Sequence, residues 1–260
     1  MGTIESVWGD QRPSGRTGRA PVYYEPHDTL TPEGLPGDLA RLQLAAAPGT
    51  VVRCSVDVRY LDGAPPLGDL VAGAGFAVES TRRARGRWLV AARRERTLPD
   101  FVGPGMRVLV CGLTPSLVAA DAGFGYAGAT NRFWPVAVAA GLVTHPRQPL
   151  LSLDEDGVGM TDLVKRATPN ADSLTPAEYR AGAERLARLV EWLRPGAVLF
   201  VGLAGWRAAI DRRAQPGPQP SPFAGAPAYV MPSTSGRNAR TTPAELAAHM
   251  RQALSLAESP

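Results

Sequence analysis

Residues 108–134 read VLVCGLTPSLVAADAGFGYAGATNRFW: an apolar run of strand length, a glycine-containing loop, then the start of a helix. A short run that is apolar at nearly every position fits a strand buried on both faces by helices, rather than one with a wet side. The pattern recurs outward from it. AVLFVG at 197–202 and AYVMPS at 228–233 are further runs of this kind. Between them lie helices with readable ends. NRFWPVAVAAGL begins at a cap-competent Asn131, and Pro135 is tolerable only in a first turn. TPAEYRAGAERLARLVEWLRPG opens with a capping box, Thr175 to Glu178, with Pro176 at the first helical position. Leu186, Leu189, Val190 and Leu193 form its apolar stripe, and Pro195-Gly196 its stop. GWRAAI at 205–210 predicts a short helix, and TTPAELAAHMRQAL at 241–254 a last one with the same Thr-Pro-x-Glu start. The segment 211–227, DRRAQPGPQPSPFAGAP, reads as a surface loop with no element in it. Strands alternating with helices predict an α/β three-layer sandwich with a short, mostly parallel central sheet. In such sheets a ligand lies beyond the carboxyl ends of the strands, where the loops 112–126 and 232–240 both begin.

The chain has 260 residues, 44% of them hydrophobic, which is enough for one large domain with an appendage. Its net charge is +4 and its pI near 9.4, and Lys165 is the only lysine. Arginine presents a planar fork suited to phosphate, so nucleic acid is a sensible partner, with drift in nucleotide composition an equal explanation. Cys54 and Cys111 are far apart and there are three histidines, so no grouped set of thiolates or imidazoles is available for zinc or an iron-sulfur cluster. No metal and no cofactor is expected. The start, MGTIESVWGDQRPSG, has no apolar run of signal or membrane-span length. The expectation is a cytoplasmic protein, nucleoid-associated when bound to DNA, with reduced cysteines.

Residues 1–33, rich in Gly, Pro and Arg, read as a flexible basic arm. Residues 34–96 read as a small α/β module: a helix over 36–47, a strand in TVVRCSVDVRY, a helix in PPLGDLVAGAGF closed by Gly75, and a strand pair turning near Arg85 and Gly86. This arrangement resembles the C-terminal portion of class I methyltransferases, but the glycine-rich cofactor loop of those enzymes is missing and no methyl transfer is expected. Between Arg82 and Arg96 there are seven arginines and one acid, Glu95, a candidate phosphate-facing patch with a solvated strand face as the alternative for any one of them. TLPDFVGPG at 97–105, with two prolines and two glycines, reads as a linker to a main domain over 97–256.

Three motifs in order, GLTPS at 112–116, NRFW at 131–134 and MPSTSGRNAR at 231–240, resemble the mismatch-specific uracil-DNA glycosylase and thymine-DNA glycosylase family. The stretch 157–186, GVGMTDLVKRATPNADSLTPAEYRAGAERL, is similar to the same family. The resemblance implies a monofunctional glycosylase that flips uracil, or a mismatched or damaged pyrimidine, out of double-stranded DNA and hydrolyses its N-glycosidic bond. It implies no metal, and a monomer is expected.

Residue roles follow from that resemblance. The family's water-positioning asparagine is replaced by Thr114, and a hydroxyl offers less than a carboxamide. Cleavage builds positive charge on the sugar and negative charge on the base, so a carboxylate near the sugar is needed. Asp162 is the candidate, its alternative being an acid in the first turn of a helix capped by Thr161. Asp121 is the fallback, with turn formation as its alternative. Tyr126 matches the aromatic that stacks on the flipped base; core packing is its alternative. Main-chain groups of Gly112 and of Leu113 through Tyr126 are expected to read the pyrimidine edge, with Asn131 adding a contact or serving only as a cap. Ser233, Thr234 and Ser235, with Gly236 and Asn238, are expected on the DNA backbone, and Arg237 in the vacated stack. Arg132 and Arg240 are expected to supplement phosphate contacts or to sit on the surface without a role. Trp134 and Trp192 read as core, and His145 and His249 as structural. Thr114 also motivates a second reading, a DNA-lesion binder without efficient hydrolysis.

Overall fold

The computed structural model describes residues 22–26 and 31–258. The expected arm therefore lies mostly outside the described residues, but Val22–Tyr24 forms strand β1, paired in parallel with β2 (Val51–Asp57). A segment assigned to a loose arm thus ends inside a sheet. Helix α1 (Leu35–Ala45) precedes β2, and α2 (Leu67–Gly73) follows it. Then β3 (Phe76–Ala84) and β4 (Arg87–Arg94) form the expected hairpin, turning on the left-handed pair Arg85 and Gly86. The order is β1-β2-β4-β3. Strand β3 is exposed along almost its whole length and slips register between Val78 and Ser80.

The main sheet has the order β6-β5-β7-β9-β8. Its strands are β5 (Val108–Gly112), β6 (Val158–Asp162), β7 (Ala197–Val201), β8 (Gly217–Pro218) and β9 (Ala228–Met231). All pairings are parallel except β8 with β9. Alternate residues of the central strands enter two different cores, as a strand buried on both faces demands. Val108 and Val110 pack with α4 (Phe133–Ala139) and α8 (Pro243–Ala257), while Leu109 and Cys111 pack with α6 (Pro176–Leu193). Short helices α3 (Leu117–Ala122), α5 (Pro149–Asp154) and α7 (Leu203–Ala209) complete the layers. The three-layer α/β architecture and its mostly parallel sheet are as expected. Both predicted capping boxes form, Thr175 with Glu178 and Thr242 with Glu245.

Two loop readings are corrected. Within 211–227, β8 pairs with β9, and Ala214 and Phe223 are buried. The supposed linker 97–105 is not a tether. Leu98, Asp100, Phe101 and Val102 are buried, and Phe101 bridges to Met160 of β6. The module is joined to the main sheet by further contacts: Arg41 with Asp154, Arg188 with Asp69, and Gln43 Nε2 with the Thr97 carbonyl. Trp192, only half-buried, packs against the cores on both sides of this junction, whereas Trp134 is fully core.

Candidate active site

A cavity of about 250 Å³ opens at the carboxyl ends of β5 and β6. Its wall takes residues from 112–116 and 125–131, from Met160 to Asp162, and from Ser235 and Gly236 of the second loop. Leu98, Pro99 and Phe101 close it on the module side. The two loops picked out in the sequence therefore meet. Gly236 is where they touch, since a side chain there would collide with Thr130.

Asp162 ends β6 as its last residue, not in the first turn of a helix, so the macrodipole account of this acid falls away. Its carboxylate accepts no hydrogen bond among the described residues, while its main-chain carbonyl accepts from Arg185 Nη2 at 3.0 Å. Burial pushes its pKa up to about 6, with Asp100 also raising it and Lys165 and Arg185 pulling it down. A Cβ built on Gly112 would collide with Asp162 Oδ1 and stand 3.2 Å from Tyr126 Oη, so the first loop residue has to be bare for both polar groups to reach this end of the sheet.

Tyr126 lines the cavity in a left-handed backbone conformation, φ 60°, that non-glycine residues seldom adopt outside constrained sites. One face of its ring is already stacked on Phe133, with centroids 4.0 Å apart and planes 13° apart. Only the opposite face is left for a ligand. Its hydroxyl is buried and has no hydrogen-bond partner among the described residues, and burial beside Asp162 holds its pKa well above the usual phenol range.

Asn131 Oδ1 accepts from Phe133 N, at the first residue of α4, at 3.0 Å and from Thr234 Oγ1 at 2.9 Å, which fixes the carboxamide plane. Its NH₂ group has no partner among the described residues and stands at the cavity wall. Thr114 Oγ1 donates to the Arg166 carbonyl at 2.6 Å, leaving its lone pairs as acceptors.

Several expected contacts are not available. The carbonyls of Gly112 and Leu113 each accept one bond, from Leu163 N and Val164 N at 2.9 Å, which takes one lone pair of each into the sheet ladder. Thr234 is 1% exposed, with its hydroxyl turned onto Asn131, so it cannot meet a phosphate. Asn238 Nδ2 donates to the Ser233 carbonyl and to Thr241 Oγ1, tying the loop to itself. Arg132 donates to the carbonyls of Thr241 at 2.7 Å and Asn238 at 2.6 Å, and is a clamp on the second loop rather than a phosphate contact. Ser233 and Ser235 are partly open, and Gly236, Arg237 and Arg240 exposed. Asp121 lies outside the cavity, paired with Arg96 at 2.5 Å on the surface. The arginine run divides in the same way: Arg87 pairs with Glu25, Arg93 with Glu79 and Arg96 with Asp121, and Arg94 is buried against the Gln43 carbonyl. His145 pairs with Glu155, and His249 with Tyr229; neither lines the cavity.

Sequence reasoning missed Asp100, which is 3% exposed and holds both Lys165 and Arg185 beside β6. An Asp flanked by Leu98 and Phe101 in a run of buried apolar residues was the available signal.

The uracil DNA glycosylase superfamily matches this chain over residues 99–256, a span that contains the main sheet, both loops and every cavity residue except Leu98. The chain belongs to the uracil DNA glycosylase superfamily, whose members are DNA glycosylases.

Proposed function

We propose that the protein is a monofunctional DNA glycosylase that removes uracil, or mismatched thymine or another damaged pyrimidine, from double-stranded DNA. The observation that carries this reading is the Asp162 carboxylate, unpaired at the wall of a cavity where both loops meet. At about 250 Å³ the cavity falls below the roughly 300–1,000 Å³ of sites for drug-sized ligands, which suits a single ring.

In this reading the flipped base lies beside the free face of Tyr126, and the Asn131 NH₂ donates to a pyrimidine carbonyl. A water donates to Asp162 and to the Thr114 lone pairs, which turns an oxygen lone pair of that water toward the sugar. As the C1′–N1 bond breaks, its electron pair leaves with the base, where the Asn131 donor stabilises the charge. The ionised Asp162 stabilises the cationic sugar and takes the water proton as the new C–O bond forms. At the rim of the cavity, Ser233, Ser235 and Gly236 grip the backbone and Arg237 fills the gap left in the stack, offsetting part of the few kcal/mol that extrusion costs.

The test is strand cleavage at alkali-labile sites after incubation with U:G, T:G and single-stranded uracil substrates. Turnover on at least one, largely lost in Asp162→Asn, is the expected result. An inactive parent that binds duplex with salt-sensitive affinity would overturn the enzyme reading and return the chain to a lesion binder.

A further inference from the structure

Asp100 sits between the module and the main sheet, and its side chain meets three donors. Oδ1 accepts from Thr161 Oγ1 at 2.5 Å and from Lys165 Nζ at 2.8 Å, and Oδ2 accepts from Arg185 Nη1 at 2.5 Å. The second amino group of Arg185 reaches the Asp162 carbonyl. From the module, the Gly73 carbonyl accepts from Asp100 N at 2.7 Å, and Gly73 has no room for a side chain because Asp100 Oδ2 lies where its Cβ would be. A buried ionic cluster of this kind is often no more stabilising than apolar residues of the same volume. Its position, one strand residue from the cavity acid, supplies a different reason for it.

We infer that Asp100 is a positioning residue: it engages Lys165 and Arg185 so that neither cation closes on Asp162, which stays unpaired and facing the cavity while its main chain is fixed by Arg185. The inference rests on the role given to Asp162 above. Both cations are near enough to Asp162 to stabilise its ionised form, yet their hydrogen bonds go to Asp100 and to main-chain or hydroxyl oxygens. The other titratable groups around Asp162 are Cys111 on β5 and Tyr126, both held neutral by burial, so Lys165, Arg185 and Asp100 set the local charge.

Single-turnover cleavage of a uracil-containing duplex, followed across pH, tests it. In Asp100→Asn a negative neighbour is lost and Lys165 is released to pair with Asp162. The acid limb should move to lower pH, with kcat falling about tenfold or more and KM little changed. In Lys165→Met a positive neighbour is lost and the limb should move to higher pH. The double variant should recover kcat to within about threefold of the parent, because the cation released by the first change is absent. Loss of a merely structural contact predicts neither opposite limb shifts nor rescue. Limbs that stay in place, or a double variant no faster than Asp100→Asn, would overturn the inference. Should Asp100→Asn fail to fold, Asp100→Glu, which keeps the charge and moves the carboxylate, decides: a lowered kcat that Lys165→Met restores supports the inference, and an unchanged or unrestored kcat sinks it. Full activity in Asp162→Asn is a different result, removing the Asp162 role itself.

Discussion

Tyr126 Oη is a buried polar atom with no hydrogen-bond partner among the described residues. Such a group costs the fold on the order of 1–3 kcal/mol, and a ligand that reaches it recovers part of this. Tyr126→Phe should therefore raise stability in urea melts by about 1 kcal/mol while slowing turnover; a variant that is less stable, or one as fast as the parent, would contradict a hydroxyl reserved for substrate. Asp162 makes a second prediction in which activity and stability oppose each other. Its pKa is about 6 in the fold against 3.8 for an ordinary aspartate, so as pH rises the open chain loses this proton first. Stability contributed by the group falls between those values and is level above them. Asp162→Asn lacks this penalty, so above pH 6 it should be the more stable protein, by up to about 3 kcal/mol, though nearly inactive. Equal stability of the two across the window would show that the carboxyl is not perturbed. Of these side chains, Asp162, Tyr126 and Asn131 were legible because each sits in or beside a motif. Asp100 was not, since its partners Thr161 and Arg185 lie 61 and 85 positions away and nothing in a linear string pairs them.

At the scale of elements, the second loop is held by the start of α4. Arg132 caps two of its carbonyls, its own main-chain N–H binds the Thr234 carbonyl at 3.0 Å, and Asn131 takes the Thr234 hydroxyl. Arg132→Met keeps the length of the side chain but removes every donor. The loop should then loosen, with duplex affinity falling about tenfold, as loss of one to two hydrogen bonds to a charged group implies, and with faster proteolytic nicking between Ser233 and Thr241. Unchanged affinity would return Arg132 to a surface residue. Elements with chemical punctuation were readable in advance: both capping boxes, the turn at Arg85-Gly86, and the all-apolar strands. The errors came from prolines and glycines, which mark irregular backbone without saying whether it is buried. Segment 97–105 is irregular as expected, yet Leu98, Pro99 and Phe101 place it at the cavity wall rather than on the surface.

For the whole molecule, the module reads as an appendage in sequence but is built into the main sheet's periphery. Arg188 of α6 pairs with Asp69, Trp192 packs between cores, and the Gly73 carbonyl holds Asp100. A chain starting at residue 97 should lose these together and melt about 10 °C lower, as several kcal/mol in a domain of this size implies, with reduced cleavage; an unchanged melting temperature would make the module separable. Strand β3 has a consequence of its own. Among the described residues it stands last in its sheet and is exposed along almost its whole length, so its outer edge faces a second copy of the chain. Proteins prevent such edge-to-edge growth with bulges and charge, and β3 has both: the slip between Val78 and Ser80, and the exposed positive charge of Arg83. An exposed charge beside that slip makes edge-to-edge docking of two copies costly, so each copy of the chain stays a separate particle rather than seeding a fibre.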